Sequence, residues 1–255
     1  MGRIIAIANQ KGGVGKTTTS INLSASLAAK GKKVLVIDTD PQGNTTSGFG
    51  IEKNELEDTI YELILGECSI RDCIISNVIK NVSVVPSNVN LAAAEIELIG
   101  VDKKEFILKN EVDYVKDDYD FIIIDCMPSL GMLTINAMSA ANSVLIPVQP
   151  QYYAADGLTE LLKVVKGTKK RFNPEIEVEG ILFTMDSARY NNSKRNKRAV
   201  KEAYGKEIRV FENSIPRSEA IAEIASEGIS IFAYDSRSKG AKNYEMLAQE
   251  VLNRA

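Results

Sequence analysis

Short apolar runs recur along this chain, separated by stretches of mixed polarity with helical spacing. The runs at 3–8, 33–38, 82–86, 121–125, 143–148, 178–185 and 208–211 read as strands. Several of them, "DFIIID" and "SVLIPV" among them, are apolar at consecutive rather than alternate positions. That pattern suits parallel strands covered on both faces. Between them, residues 18–30, stopped by Gly31, and residues 158–171 read as amphipathic helices. Alternation of this kind from end to end predicts an α/β fold: a doubly wound, mostly parallel sheet with helices on both faces. No linker, repeat or low-complexity tract interrupts residues 1–255, so one domain is expected.

Composition narrows the chemistry. The chain has no histidine, which excludes His-based triads, His-ligated zinc and a general base with an ordinary pKa near neutrality. Cys68, Cys73 and Cys126 are odd in number and lack metal-ligand spacing, so reduced structural thiols are expected. No apolar run approaches the ~20 residues of a membrane span. The first strand pattern begins at residue 3 and leaves no room for a signal peptide. The expectation is a cytoplasmic protein that starts at residue 1.

The stretch "GGVGKTT", residues 12–18, follows a strand pattern and opens a helix pattern. This is the context a phosphate-binding loop requires. Glycine lets backbone N–H groups close around phosphate oxygens, and the helix N-terminus favours the anion. Gly12, Gly13, Val14, Gly15, Lys16, Thr17 and Thr18 are therefore the expected nucleotide cradle. Lys16 would reach the β- and γ-phosphates of ATP, and the Thr17 hydroxyl would ligate Mg²⁺. "VIDTDPQGN" places Asp38 and Asp40 at a strand end, and "FIIIDCMPSLG" closes an apolar strand with Asp125. After a phosphate loop, Asp125 is the acid expected to hold Mg²⁺ through water. A carboxylate is the group left to orient a water on the γ-phosphate. Aspartates at a strand end also serve as helix caps or turn formers. Lys11 stands five residues before Lys16 and cannot easily reach the phosphates of its own loop. It is either a solvated surface lysine or one that reaches a nucleotide held by a second subunit.

"KGGVGKTT" resembles the loop of the deviant Walker A ATPases, and almost the whole chain resembles their ParA-type partition branch. "DPQGN", "CMPSLGMLTINAM", "VLIPVQPQYYAADGL" and "YDSRSKGAKNY" carry the likeness. The resemblance implies a homodimer that closes on ATP, with Lys11 acting across the interface. It gives Lys11, Lys16 and Asp40 the catalytic roles, Asp40 positioning the attacking water. Thr17, Asp38 and Asp125 would serve the Mg²⁺ and its water shell, and Pro216 would lie beside the adenine. Residues 128–131 would sense the γ-phosphate; relatives commonly read Asp-Cys-Pro-Pro here, and this chain has Met127. It further implies binding to double-stranded DNA without sequence preference, and slow hydrolysis stimulated by a centromere-binding ParB-type partner.

Charge distribution bears on the DNA expectation. The total is −3, from 31 basic and 34 acidic residues. Yet residues 189–209 hold eight basic side chains against Glu202 and Glu207, and 163–171 form a second basic run. Such a local excess in an acidic protein suits a phosphate-facing patch, although a solvated helix face has the same composition. Lys194, Arg195, Lys197 and Arg198 are the candidates, and the resemblance adds Arg189 of "MDSAR" and Arg217 of "IPR". After Arg217 the chain reads "SEAIAEIASEG" and departs from chromosomal relatives, which often carry a further arginine and a proline there.

Two alternatives share these motifs. A MinD-like positioning ATPase needs a basic amphipathic C-terminal helix for lipid. Here the terminal pattern puts Tyr244, Leu247, Ala248, Val251 and Leu252 on one face with little basic charge, which favours docking on the protein itself. A DNA-bound regulator that uses ATP only to dimerise is the other. An iron–sulfur carrier lacks a second cysteine at cluster spacing beside Cys126.

Overall fold

The computed structural model describes residues 2–151, 154–187 and 191–254. From the N-terminus come β1 (Arg3–Ile7), α1 (Lys16–Ala29), β2 (Val34–Thr39), α2 (Asn44–Gly48), α3 (Ile60–Leu65) and α4 (Ile70–Cys73). A middle section follows with β3 (Ile75–Ile79), β4 (Val82–Val85), α5 (Leu91–Glu97), α6 (Ile107–Asp113), β5 (Phe121–Cys126) and α7 (Met132–Ala140). The chain ends with β6 (Ser143–Val148), α8 (Ala154–Arg171), β7 (Glu177–Phe183), α9 (Asn191–Tyr204), α10 (Glu219–Glu227), α11 (Ile231–Asp235) and α12 (Lys239–Leu252).

The seven strands form one sheet in the order β3-β4-β2-β5-β1-β6-β7, parallel throughout except for the antiparallel edge strand β3. Apolar runs become parallel strands because both faces of the sheet are covered. In β1, Ile4 and Ala6 face one layer while Ile5 and Ile7 face the other, all of them buried. The first layer holds Leu63, Leu91, Leu108, Leu133, Leu161 and Val200 from α3, α5, α6, α7, α8 and α9. The second holds Leu23 and Leu27 of α1 together with Tyr244, Leu247 and Val251 of α12. The terminal apolar face is thus spent on α1 and the sheet. Among the described residues no helix is long and apolar enough to cross a membrane.

The expected strand at 208–211 is a correction. It makes only an isolated bridge between Ile181 and Val210, with Ile181 N–H donating to Arg209 O and Phe211 N–H to Ile181 O. Pairing is interrupted there because the carboxylate of Glu250 accepts the next two amides, from Glu212 and Asn213, at 3.0 Å each, and it resumes where Ile215 N–H donates to Phe183 O at 2.8 Å. The predicted strand 178–185 ends at Phe183, because Met185 adopts φ +48 and leaves the sheet direction.

Neighbouring strands β1 and β5 send their chains to helices on opposite faces, α1 in the second layer and α7 in the first. A crevice opens at their carboxyl ends, the place where ligands bind in open α/β sheets. The opposite edge is lashed by charge. Glu179 is fully buried and pairs with Arg3, accepts from Ser143 Oγ at 2.8 Å, and lies 3.3 Å from Arg254. Arg3 also donates to Val251 O at 2.8 Å, so β1, β6, β7 and α12 share one polar knot. Removing Arg3 would leave the buried Glu179 carboxylate only Ser143 and the longer Arg254 contact, whereas replacing both partners by apolar groups is often neutral. Arg3→Leu is expected to destabilise the chain by about 3 kcal/mol, and Arg3→Leu with Glu179→Leu to recover most of that loss. Urea midpoints of the three proteins check this; a double variant no better than the single one would contradict it.

Candidate functional site

The loop after β1 reaches helix α1 through two glycines in the left-handed region, Gly13 at φ +68 and Gly15 at φ +85. Gly15 is the N-cap of α1 and offers no side-chain cap, and no acidic residue stands in the first turn. The leading amides of α1 are therefore left for a ligand, and the helix dipole favours an anion there. A Cβ at Gly12 or Gly13 would meet nothing within 4 Å, so the loop encloses open space. Its far side is fixed by Thr184, whose Oγ1 donates to Val14 O at 2.7 Å. Lys16 is 7% exposed and its ammonium donates to Lys11 O at 3.2 Å. Burial lowers its pKa, and the nearby charges of Asp125 and Asp40 oppose that shift.

Strand register brings the acids together. Asp38 of β2 is paired directly with Asp125 of β5, and Ile7 of β1 flanks Asp125 on the other side. Both carboxyls are buried, at 0% and 1% exposure. Asp125 Oδ2 accepts from Thr17 Oγ1 at 2.8 Å and Thr45 Oγ1 at 2.7 Å, and Oδ1 from Ser20 Oγ at 2.9 Å. Asp38 Oδ2 accepts from Thr46 N–H at 2.9 Å and Thr46 Oγ1 at 2.8 Å, and Oδ1 from Asp40 N–H at 3.1 Å. Desolvation pushes the Asp38 pKa up to about 7, helped by repulsion from Asp125 and resisted by the Thr46 and Asp40 donors. Asp125 shifts the same way by burial, against the three hydroxyls and Lys16.

Asp40 stands at the mouth of this cluster, 8% exposed. Its Oδ1 accepts from Gln42 N–H at 2.9 Å, while its carbonyl accepts from Gly43 N–H and Ser87 Oγ, both at 2.8 Å. Oδ2 accepts no hydrogen bond among the described residues. Gly43 is required by the loop's closeness to its neighbours: at φ +58, a Cβ would lie 2.6 Å from Ser87 O. Lys11 is half-buried at the loop's start, its N–H donating to Asn9 Oδ1 at 3.0 Å, and its ammonium has no polar partner among the described residues.

Beside the loop lies an open cavity of about 960 Å³, lined by Gly15, Thr18, Asp186, Pro216, Arg217 and Tyr244 among others. Pro216 and Thr18 thus share one wall system, and Arg217 is exposed at its rim. The basic candidates divide. Lys194 and Arg195 of α9 are exposed, Lys197 pairs with the carboxylate of Asp186, and Arg198 pairs with Glu202 at 2.6 Å. Arg189 lies outside the described residues. The three cysteines are free, and burial pushes the pKa of each upward. Cys68 Sγ is 3.2 Å from Cys73 Sγ.

Sequence reasoning missed Ser20, Thr45, Thr46, Ser87, Thr184 and Asp186, which hold the acids and the loop. The available signal was a small polar residue at the carboxyl end of an apolar strand or in the first turns after it.

The raised pKa of Asp38 has a definite consequence for pH. In the unfolded chain its value is near 3.8, and in the fold about 7. Between these the folded state binds more protons, so stability falls as pH rises through that window. Without divalent cations, the wild type is expected to lose stability relative to Asp38→Asn from about pH 4 to about pH 7 and to level off above. Urea unfolding across that range checks this, and a pH-independent difference would contradict it.

A family model for the AAA domain matches residues 2–178. The sporulation initiation inhibitor protein Soj of Bacillus subtilis is 48% identical over 251 residues, covering 98% of each chain. The chromosome partitioning protein ParA of Myxococcus xanthus is 44% identical over 254 residues, covering all of this chain and 89% of that one. Among solved structures, cobyrinic acid a,c-diamide synthase of Mycobacterium smegmatis, with bound ATP analogue and magnesium, superposes with a TM-score of 0.88 at 32% identity, over 100% of this chain and 96% of that one. A glycine loop opening onto buried acids, a mostly parallel sheet that carries them, and full-length identity approaching one half agree: the chain belongs to the Soj/ParA family of partition proteins, built on the AAA domain.

Proposed function

We propose that the chain is an ATP-dependent DNA-partition switch: a homodimer that closes on ATP, binds double-stranded DNA without sequence preference, and hydrolyses ATP slowly until a ParB-type partner stimulates it. The observation that carries this reading is the convergence of an uncapped α1 N-terminus, buried Lys16 and Asp125 on one open loop. Relatives named Soj and ParA at 44–48% identity support the partition role. It would work in the cytoplasm, on the nucleoid.

The oxygen donors fit a hard cation. Thr17 Oγ1 and Asp125 Oδ2 are 2.8 Å apart at the loop, and the set around them is hydroxyl and carboxylate, as Mg²⁺ prefers. Thr17 would hold the ion directly and Asp125 through water, while Asp38, already engaged by Thr46, supports the shell from behind. An ion held there would supply neutralisation of the charge that develops on the β- and γ-phosphates. Residues 12–18 supply backbone donors to the phosphates, and Lys16 supplies a buried cation. Pro216 flanks the base in the adjoining cavity. Asp40 directs its unpartnered Oδ2 toward the attacking water, with its backbone pinned by Ser87 and Gly43. Lys11, with no partner for its ammonium in its own chain among the described residues, reaches the nucleotide of the second subunit. Closure would turn the exposed Lys194 and Arg195 of both subunits, with Arg217, toward DNA phosphates. Lys197 and Arg198 lend charge from within ion pairs.

Two sets of measurements test this. In ATP turnover assays Lys16→Ala is expected to lose roughly 10²-fold or more, typical of removing one preorganised donor. Asp40→Ala is expected to lose turnover while retaining ATP binding and dimerisation, and Lys11→Ala to bind ATP and remain monomeric. Normal turnover in Asp40→Ala would remove its assigned role. In DNA co-sedimentation, binding is expected to be much tighter with ATP and Mg²⁺ than with ADP or without nucleotide. Its affinity should fall with salt by roughly 0.9 log units per neutralised phosphate per log unit. Absence of binding in every state would overturn the DNA reading and leave the nucleotide site standing.

A further inference from the structure

A continuous run of contacts joins the phosphate loop to helix α9, and nothing in the proposed hydrolysis uses it. It starts at Val14 O, which accepts from Thr184 Oγ1 at 2.7 Å. Met185 follows at φ +48, a left-handed conformation that side chains other than glycine seldom adopt. Asp186 comes next and is stitched to the segment carrying Pro216. Its N–H donates to Ile215 O at 2.9 Å, and its carbonyl accepts from Arg217 N–H at 3.0 Å. Met185, Asp186, Pro216 and Arg217 all border the cavity beside the loop.

The side chain of Asp186 points away from this backbone and holds α9. Oδ1 accepts from Ser193 Oγ at 2.7 Å, and Oδ2 from Ser214 Oγ at 2.7 Å and from the Lys197 ammonium. The Lys197 ammonium also stands 6.0 Å from the centroid of the Phe183 ring, at the end of β7. Ser193 and Lys197 are four residues apart and share one face of the helix. Lys194, Arg195 and Arg198 are exposed on the same helix. Burial raises the Asp186 pKa, but Lys197, Ser214 and Ser193 outweigh it and hold the carboxyl below its ordinary value. The carboxylate is thus a charged anchor placed between the nucleotide cavity and the basic helix.

We propose that Asp186 and Lys197 are positioning residues that couple occupancy of the nucleotide cavity to the setting of α9, so that Lys197 transmits the nucleotide state rather than contacting DNA phosphate. The proposal rests on the reading of α9 as a DNA-facing helix under nucleotide control. Rearrangement of 184–186 and 214–217 around a base shifts the one carboxylate to which Ser193 and Lys197 are fastened. The exposed lysine and arginines ride on the same rigid turns.

The test is a ratio: DNA affinity with ATP and Mg²⁺ divided by DNA affinity without nucleotide, for the full chain at fixed salt. Allosteric couplings typically run about 5–150-fold, and Lys197→Met is expected to reduce the ratio at least about fivefold. Asp186→Asn should reduce it equally, the double variant no further, and Lys197→Arg should restore it, because the two residues act as one unit. Linkage requires that DNA-dependent tightening of a fluorescent ATP analogue fall by the same factor. A simple phosphate contact behaves differently: Lys197→Met would weaken DNA binding alike in both states and lower the salt slope by about one, leaving the ratio intact. That result, or additive losses in the double variant, overturns the proposal while leaving the partition switch in place. A wild type with no nucleotide-dependent DNA binding overturns both readings.

Discussion

Two buried carboxylates side by side in one sheet are the constraint from which the site is built. Asp38 and Asp125 occupy paired positions on adjacent parallel strands and are almost wholly buried. Neither charge could stay there alone, because burying an unpaired carboxylate is costly enough to force protonation instead. The fold answers with six donors: Thr17, Ser20 and Thr45 to one acid, and two groups of Thr46 with the amide of Asp40 to the other. Those donors come from α1, α2 and the loop after β2. Satisfying the pair therefore fixes where these elements begin, and the phosphate loop and the Asp40 loop are placed as a result.

The same network explains why Asp40 is oriented without being buried in it. Its amide is committed to Asp38, its carbonyl to Ser87 and Gly43, and its Oδ1 to Gln42, which leaves Oδ2 to face a ligand. Ser87 follows β4, and its own amide donates to Thr46 Oγ1 at 2.9 Å. Thr46 thus bridges an acid on β2 and the end of β4, and a loop of small residues gains the rigidity of the sheet. Gly43 completes the arrangement, since any side chain there would collide with Ser87.

Much of this was legible in the sequence, and the reason differs from element to element. Runs such as "FIIID" identify buried parallel strands because consecutive apolar residues need two covered faces. The loop at 12–18 is readable because glycine, lysine and threonine at that spacing have few other uses. Register is not local, however. That Asp38 pairs with Asp125, while Val36 pairs with Ile123, depends on β5 entering between β1 and β2, which no short window contains. Serine and threonine donors are equally hidden, because in sequence they look the same whether they face a carboxylate or water. The segment 208–211 has the composition of a strand, yet its next amides go to Glu250, 38 residues away along the chain from Glu212.

Basic charge illustrates the same limit more sharply. Residues 194–198 place four cations in five positions, and composition treats them as equivalent. In the fold they are not. Helical geometry turns Lys197 toward Asp186 and Ser193, whereas Lys194 and Arg195 face solvent and Arg198 meets Glu202 one turn on. An exposed pair such as Arg198–Glu202 contributes little to stability and is readily exchanged for a phosphate. The Lys197–Asp186 pair is different, because two serine hydroxyls saturate the same carboxylate and breaking it strands a partly buried charge. Ion pairs that differ in this way cannot share one role. The loosely held cations are available to a polyanion, while the tightly held one carries force between the helix and the backbone that borders the nucleotide cavity.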